Sequence, residues 1–559
     1  MVGARRIELT VGSPAGGLSD KSGRIGNLVA GLSVAGLLIP ESIAYAGIAG
    51  IAPQHAVVAS VAGLMAYACI GASRFAIVTP TSSSAAILAA AVATLVASGS
   101  TVSDALALSG SIVLLVGVLF ALAATARIGH LAAFISRPVL RGFAFGLAIT
   151  IVVKQLPHIA GVTVAGAGPA QLLLHLGERV AEWNPWAIGL GCLAYLSLRL
   201  LKRVSMFPAA FEVMLMGVAV GAVFDLPAHG VALVGRIDLT GIRLVFPALS
   251  EDAWLRVAEL AVPLVVILYA ESWGSIRTLA LRHDDRIDAN RELAALGMAN
   301  LLSGALQGLP VGAGLSASSA NEDAGATGKV AGLVAAVTVV ALMLLAAPWL
   351  AMLPEPVLAA VVISALTHAL DPRPLLALWR LGRDEILAAT AVLAVIVLGV
   401  VHGMMLAVLL SIVAAIRRFS QSRVAVLGDL GGTRDYVEVA RHPEAVEHPG
   451  VLIARPEQPL FFANAERALA EVRSLVEQRA DVSVVVLSLE ESVDLDSTAA
   501  EAIAEFSLWV ALSKRRLMLA RVKESVRDLL ERSAPPTGAT PCFWSVADAV
   551  NAARTSLRH

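Results

Sequence analysis

The sequence predicts an all-α polytopic membrane protein of about fourteen transmembrane segments, followed by a small C-terminal α/β domain. Three observations carry this. Of 559 residues, 57% are hydrophobic and 15% charged, with a mean hydropathy of +0.77; soluble chains are closer to about 45–50% apolar and about 25% charged. Apolar stretches alternate with short polar breaks from Gly26 to Ile416. Arg and Lys gather at alternate breaks.

The first 25 residues are polar and Gly/Ser-rich up to Lys21 and lack the apolar core and small-residue cleavage site of a signal peptide, so an uncleaved cytoplasmic segment is expected. A transport domain is then expected over 26–418. Stretches such as Ala105 to Ala126, Val257 to Ile276, Val330 to Leu345 and Ile386 to Val401 meet the roughly 17–25 apolar residues that a spanning helix needs, or come close where Pro and Gly break them.

Charge placement orients the spans. Arg74, then Arg127 and Arg137, then Arg199, Lys202 and Arg203 mark alternate breaks, followed by Arg277 to Arg291, Lys329, Arg373 to Arg383, and Arg417 with Arg418. The breaks between them, at Gly50 to Gln54, Ser98 to Ser103 and Ala347 to Trp349, hold no Arg or Lys. One longer break, Asp225 to Arg256, carries both signs, with Arg236 and Arg243 beside Asp238, Glu251 and Asp252. The bias is that of the positive-inside rule. With an even number of spans it puts both termini in the cytoplasm, in the cell (inner) membrane.

Past Arg418 the composition changes. Residues 419–447 read as a linker, with Gly431-Gly432 as a turn and not a phosphate loop. Residues 448–559 read as alternating strands and amphipathic helices: Val451 to Ile453 and Val482 to Leu489 as strands, Ala465 to Gln478 as a helix.

Several function classes lose support. A net charge of −1 gives none to nucleic-acid binding. Cys69, Cys192 and Cys542 are too scattered for disulfides or a thiolate metal site, and His368 and His402 stand isolated, so no metal or other cofactor is expected. No nucleophile–base pair points to an enzyme.

The membrane part is internally repeated. Leu38-Ile39-Pro40-Glu41-Ser42-Ile43 interrupts the first span with a carboxylate, and Leu268-Tyr269-Ala270-Glu271-Ser272-Trp273 does the same at the start of the second half. Some way after each comes a run of small and hydroxyl residues, Ile77 to Ser84 and Leu309 to Ser319. Each run reads as a short extended stretch followed by a helix that begins inside the membrane. A helix start leaves about four N–H groups unpaired and a partial charge of about +0.5, so two such starts facing each other make an anion site without a buried Arg. The candidate substrate-binding residues are therefore Thr81, Ser82 and Ser83 with Leu315, Ser316 and Ala317. Tight helix packing by small residues is the alternative.

Glu41 and Glu271 each cost about 2.5–3.5 kcal/mol or more in hydrocarbon when ionised, which marks an ion or proton path unless they are hydrated at an interface. A protonatable carboxylate beside an anion points to symport with H⁺ or Na⁺. Arg74, Arg141 and Lys154 sit near segment ends and read as interface anchors. The run Asp284 to Glu292 reads as a solvated loop and helix cap.

These motifs resemble the sulfate permease (SulP) family. The matching residues are Gly31 to Val34, Ile39 to Ala46, Gly71 to Arg74, Arg286 to Leu293 and Pro354 to Ala360; in the tail, Pro459 to Glu466 and Asp496-Ser497-Thr498 resemble a STAS domain. The resemblance covers almost the whole chain in order. It implies a seven-plus-seven inverted repeat with core and gate parts moving as an elevator, often a homodimer, carrying sulfate, bicarbonate, chloride or dicarboxylates. It also implies anion contacts at Thr81, Ser82 and Ser316, and a proton or Na⁺ at Glu271. Departures are Glu41 where many relatives have Gln, Ala317 where several have Arg, and Ala499 where Gly is common. Ser497 resembles the phosphorylated serine of anti-sigma antagonists, with a strand-to-helix turn as the plainer role. Against symport stand an exchanger or channel-like mode, nucleobase uptake on the same general fold, and a membrane sensor or scaffold signalling to a cytosolic protein through the STAS-like domain.

Overall fold

With no water inside a bilayer, each segment must satisfy its own backbone N–H and C=O groups, so long apolar runs become helices. The computed structural model describes residues 19–97, 105–129, 136–164, 168–204, 209–235, 237, 244, 251–382, 384–431, 433–532 and 540–558. The stretch 1–18, the break 98–103, Arg236, Asp238, Arg243, Arg383 and Gly432 lie outside the described residues. Two units result, Met1–Ser411 and Ile412–His559.

The first unit is built twice over. Its first half runs α1 (Ser19–Ala49), α2 (Pro53–Ile70), β1 (Val78–Pro80), α3 (Ser82–Ala97), α4 (Ala105–Thr125), α5 (Arg137–Ala160), α6 (Pro169–Glu178), α7 (Pro185–Val204) and α8 (Ala209–Val223). Its second half repeats that order as α9 (Glu251–Arg282), α10 (Ala289–Ala305), β2 (Val311–Ala313), α11 (Leu315–Asp323), α12 (Val330–Leu350), α13 (Glu355–Leu366), α14 (Arg373–Leu381), α15 (Glu385–Leu398) and α16 (Val400–Ser420), whose last turns enter the second unit. Among the described residues α1, α2, α4, α5, α9, α12 and α16 are long and apolar enough to cross a bilayer, and α3, α8, α13 and α15 are shorter apolar helices. The short α6 and α14 occupy the same place in each half. In α14, Leu376, Trp379 and Leu381 stay exposed, as on a helix that lies along an interface.

Glu41 and Glu271 do not break their helices, as the sequence had implied. Helix α1 runs through Pro40 and Glu41, and α9 through Pro263 and Glu271. A proline removes one intrahelical bond, and packed neighbours hold the helix across that gap. The second pair of interruptions is broken as expected: each is a three-residue strand followed by a new helix.

Helices α4 and α10 pack backbone to backbone through glycines. A Cβ on Gly304 would lie 2.5 Å from the Leu114 amide nitrogen, and one on Gly117 2.6 Å from that of Leu301. Small residues allow this approach where apolar lipid offers no hydrophobic drive. Gly304→Val is expected to destabilise the unit by about 1–3 kcal/mol through overpacking, measured as a lower denaturation midpoint in detergent.

The second unit holds a six-stranded sheet ordered β4-β3-β5-β6-β7-β8. Its elements are β3 (Val424–Asp429), β4 (Tyr436–Glu438), β5 (Val451–Pro456), α17 (Ala465–Glu477), β6 (Val484–Ser488), α18 (Ser497–Leu512), β7 (Arg516–Ala520), α19 (Glu524–Arg532), β8 (Cys542–Phe543) and α20 (Val546–Arg558). Strands β5 to β8 are parallel, and β3 is antiparallel to β4 and β5. Alternate residues feed two cores: Val485 and Leu487 with Val472 and Ile503, and Val484 and Val486 with Ala549 and Val550. Both faces are covered, so β6 is buried throughout.

The segment 419–447 is therefore not only a linker, since β3 and β4 belong to the sheet. Gly431, at φ +64°, lies in the turn between them. Strand β4 is three half-buried residues, too short to show an alternating pattern in sequence.

Candidate functional site

Strands β1 and β2 pair antiparallel, Val78 with Ala313, Thr79 with Gly312 and Pro80 with Val311. All six residues are buried. The pairing brings the starts of α3 and α11 together: a Cβ on Gly314 would lie 3.5 Å from Thr81 Cγ2. Buried side chains hold the pair in place. Asn300 accepts from the Val311 amide and donates to its carbonyl. Ser272 Oγ accepts from the Ala313 amide at 2.9 Å, and Ser318 Oγ from the Ile77 amide at 3.1 Å.

The two helix starts differ. Thr81 and Ser84 cap α3 reciprocally: the Ser84 amide donates to Thr81 Oγ1 and the Thr81 amide to Ser84 Oγ. This is a capping box with Ser in the place usually held by Glu or Gln. Helix α11 starts at Gly314, which has no side chain to offer, and its first helical bond runs from the Ser318 amide to the Gly314 carbonyl. The amides of Leu315, Ser316 and Ala317 are thus without a side-chain cap.

Of the six candidate substrate residues, Thr81 and Ser82 are half-buried while Leu315 and Ser316 are exposed. Ser83 and Ala317 are buried. The Ala317 methyl lies in an apolar cluster, and the Ser83 hydroxyl is engaged elsewhere, so only the backbone of these two is left for a ligand.

The Ser83 hydroxyl is bonded to Glu271. Its Oγ donates to Glu271 Oε2 at 2.5 Å and shares a 2.9 Å hydrogen bond with Thr81 Oγ1. A carboxylate is thereby tied to the first turn of α3. Glu41 is half-buried, and none of the described residues bonds to its carboxylate. Tyr45, one turn further along α1, lies within electrostatic reach of both Glu41 and Glu271. The neighbouring serines differ in role, because Ser42 pairs with Ser60 at 2.8 Å while Ser272 holds β2.

Sequence reasoning missed Glu292. Asp288 caps α10 as expected, accepting from the amides of Asn290 and Arg291. Glu292, taken as part of the solvated run, is fully buried. It accepts from the Tyr67 hydroxyl at 2.7 Å and from the amides of Ala72 at 2.9 Å and Ser73 at 3.3 Å. The signal was periodicity: Ala289, Glu292, Leu293, Leu296, Ala299, Asn300 and Ser303 form the buried face of α10. Arg74, expected as an anchor, makes a two-pronged pair with Asp285 at 2.6 and 2.9 Å.

In the second unit Ser497 is exposed at the first residue of α18. Asp496 is the cap there, accepting from the amides of Ala499 at 2.8 Å and Phe462 at 2.7 Å.

A family model described as the sulfate permease family matches residues 25–392, and one for the STAS domain matches 442–543. A probable sulfate transporter of Mycobacterium tuberculosis is 32% identical over 537 residues, 95% of each chain. The chloroplastic sulfate transporter 4.1 of Arabidopsis thaliana is 27% identical over 502 residues, 86% of this chain and 72% of the relative. Among solved structures, the murine solute carrier 26 family member A9 anion transporter in its inward-facing state superposes with a TM-score of 0.87 at 21% identity, covering 95% of this chain and 91% of the other. The transmembrane domain of the cyanobacterial bicarbonate transporter BicA does so at 0.60 and 21%, covering 70% of this chain and 97% of its own. From the family match and the 32% identical relative, the chain belongs to the sulfate permease family of membrane anion transporters and ends in a STAS domain.

Proposed function

We propose that the chain is a secondary active transporter that carries sulfate, or a similar small anion such as bicarbonate or a dicarboxylate, together with H⁺ or Na⁺. The observation that carries this is the meeting of two helix starts across β1 and β2, one of them uncapped, with Glu271 tied to the other by Ser83. Free amides at a helix start favour an anion, and a neighbouring carboxylate opposes it until a proton or cation neutralises the carboxylate. Occupancy of the two is then coupled. Sulfate is put first because the relatives are named for it. An elevator movement of a core part that holds the site against a gate part, and a homodimer, complete the proposal. So does an orientation in the cell membrane with both termini cytoplasmic, supported by the Arg and Lys bias. The STAS domain is proposed to take a cytosolic protein partner, with exposed Ser497 as its regulatory position.

Proteoliposome uptake of labelled sulfate, bicarbonate and succinate, with and without pH and Na⁺ gradients, tests this. Uptake indifferent to both gradients would overturn symport and leave exchange. Ser316→Glu brings a carboxylate to the uncapped start of α11 and is expected to raise the KM for sulfate by about tenfold or more through like-charge repulsion. An unaltered KM would move the anion away from α11.

A further inference from the structure

Lys154, which the sequence places near the end of a span, is exposed on α5. It lines a cavity of about 740 Å³ formed by the last turns of α1 and α5, the segment 162–164, Gly230, Ala232 and the start of α13. This cavity lies at the end of the unit away from the basic residues of the proposed cytoplasmic face. Near the other end of α1, Asn27 bonds to Thr327 and Gly328, next to Lys329. From Asn27 to Gly47, which lines the cavity, is about 30 Å of helix, the thickness of a hydrocarbon core. Glu41 is about 9 Å along α1 from Gly47, which lines the cavity.

Charge distinguishes it from a chance void. Glu355, on its wall, is paired with His158 Nδ1 at 3.0 Å. At the rim Arg179 donates to the Thr163 carbonyl at 3.3 Å and faces Glu182 at 3.8 Å. Glu182 thus has a cationic partner, and Glu355 an imidazole that is charged only when protonated. Among the described residues the Lys154 ammonium has neither an ion pair nor a hydrogen bond. A cation at a recess that has no partner of its own attracts anions there.

We infer that this cavity is an outer antechamber that binds a small inorganic oxyanion through Lys154 before the anion reaches the helix starts of α3 and α11. The inference rests on the anion-transport proposal and on the orientation set by the charge bias. Gln155 and Thr163 supply polar groups to the lining, and Ile48 and Ile151 apolar ones.

The test reads the cavity directly. In reconstituted full-length protein with Cys69, Cys192 and Cys542 replaced by alanine, Thr163→Cys offers one thiol on the cavity wall. Its reaction rates with anionic sulfonatoethyl and cationic trimethylammonioethyl methanethiosulfonate are each normalised to a free thiol. The normalised ratio is expected to favour the anion by about tenfold, to fall toward one in Lys154→Met and to return in Lys154→Arg. External sulfate is expected to slow the anionic reagent. In uptake assays Lys154→Met is expected to raise the KM for external sulfate about tenfold, with the maximal rate within about twofold. A ratio unmoved by Lys154→Met, or no protection by sulfate in a protein that transports, would overturn the antechamber. Protection and charge preference in a protein that carries none of the three anions would instead overturn the transport proposal and leave the antechamber standing.

Discussion

Glu292→Ala is expected to lower the denaturation midpoint of the detergent-solubilised protein by roughly 5–10 °C, the largest stability effect of any single replacement considered. The carboxylate is fully buried and accepts from one hydroxyl and two amides. Alanine leaves all three donors without a partner and opens a void beside the Tyr67 ring. Each orphaned donor costs about 1–3 kcal/mol, and losing one side of a buried charged network costs about 3–5 kcal/mol. Glu292→Gln keeps one acceptor oxygen and can donate to the Tyr67 oxygen, so its loss should be about half as large. The damage reaches the site as well. Ala72 and Ser73 lie on the connection from α2 to β1, and Arg291 and Lys329 donate to Ile70 and Gly71 on the same stretch. Loosening it moves β1, and with it the start of α3. Size-exclusion recovery after heating measures the effect; a Glu292→Ala protein that melts within about 2 °C of the parent would show that the carboxylate holds nothing together.

Much of this was legible in the sequence because hydropathy and helix formation are linked by the bilayer itself. The apolar runs became helices, and the two runs of small and hydroxyl residues became β1 with α3 and β2 with α11. Small side chains are what allow two strands to cross with all six residues buried, so composition marked the crossing. The errors have physical reasons too. Pro40 looked like a break, but one missing N–H does not end a helix that is packed on its neighbours. Glu292 was hidden by Asp284, Asp285 and Asp288, which are a solvated loop and a cap as expected. The partners that bury Glu292, Tyr67 and Ala72, lie more than two hundred residues away, and no local pattern announces them. The surroundings of Lys154 were not legible for a similar reason. Its distance from the end of α5 was visible, but not that α1 and α13 would close a cavity in front of it.

Glu271→Gln is expected to reduce gradient-driven anion uptake by about tenfold to a hundredfold while leaving anion exchange measurable. Glutamine has the size of glutamate and an oxygen that still accepts from Ser83, so the turn that carries Thr81, Ser82 and Ser83 should keep its geometry. It cannot bind a proton or neutralise a cation. If coupling runs through Glu271, the variant binds anion as though the carboxylate were permanently neutral, and an imposed gradient finds nothing to act on. The magnitude follows from the hydrogen bonds to a charged group that are lost or weakened, about 1.5–3 kcal/mol, at about 1.4 kcal/mol per tenfold. Glu41 provides the contrast. None of the described residues bonds to its carboxylate, so it fixes no element of the site. Its charge nevertheless reaches Tyr45 together with that of Glu271. Glu41→Gln should therefore retain gradient-driven uptake within about threefold, a long-range charge effect of below 1 kcal/mol. Uptake by Glu271→Gln that follows proton or Na⁺ gradients as the parent does would remove Glu271 from the coupling path. The same loss in Glu41→Gln with Glu271→Gln unaffected would move coupling from α9 to α1. The two single variants and their double, assayed side by side, separate a carboxylate that is structurally tied to the anion site from one that only shares its field.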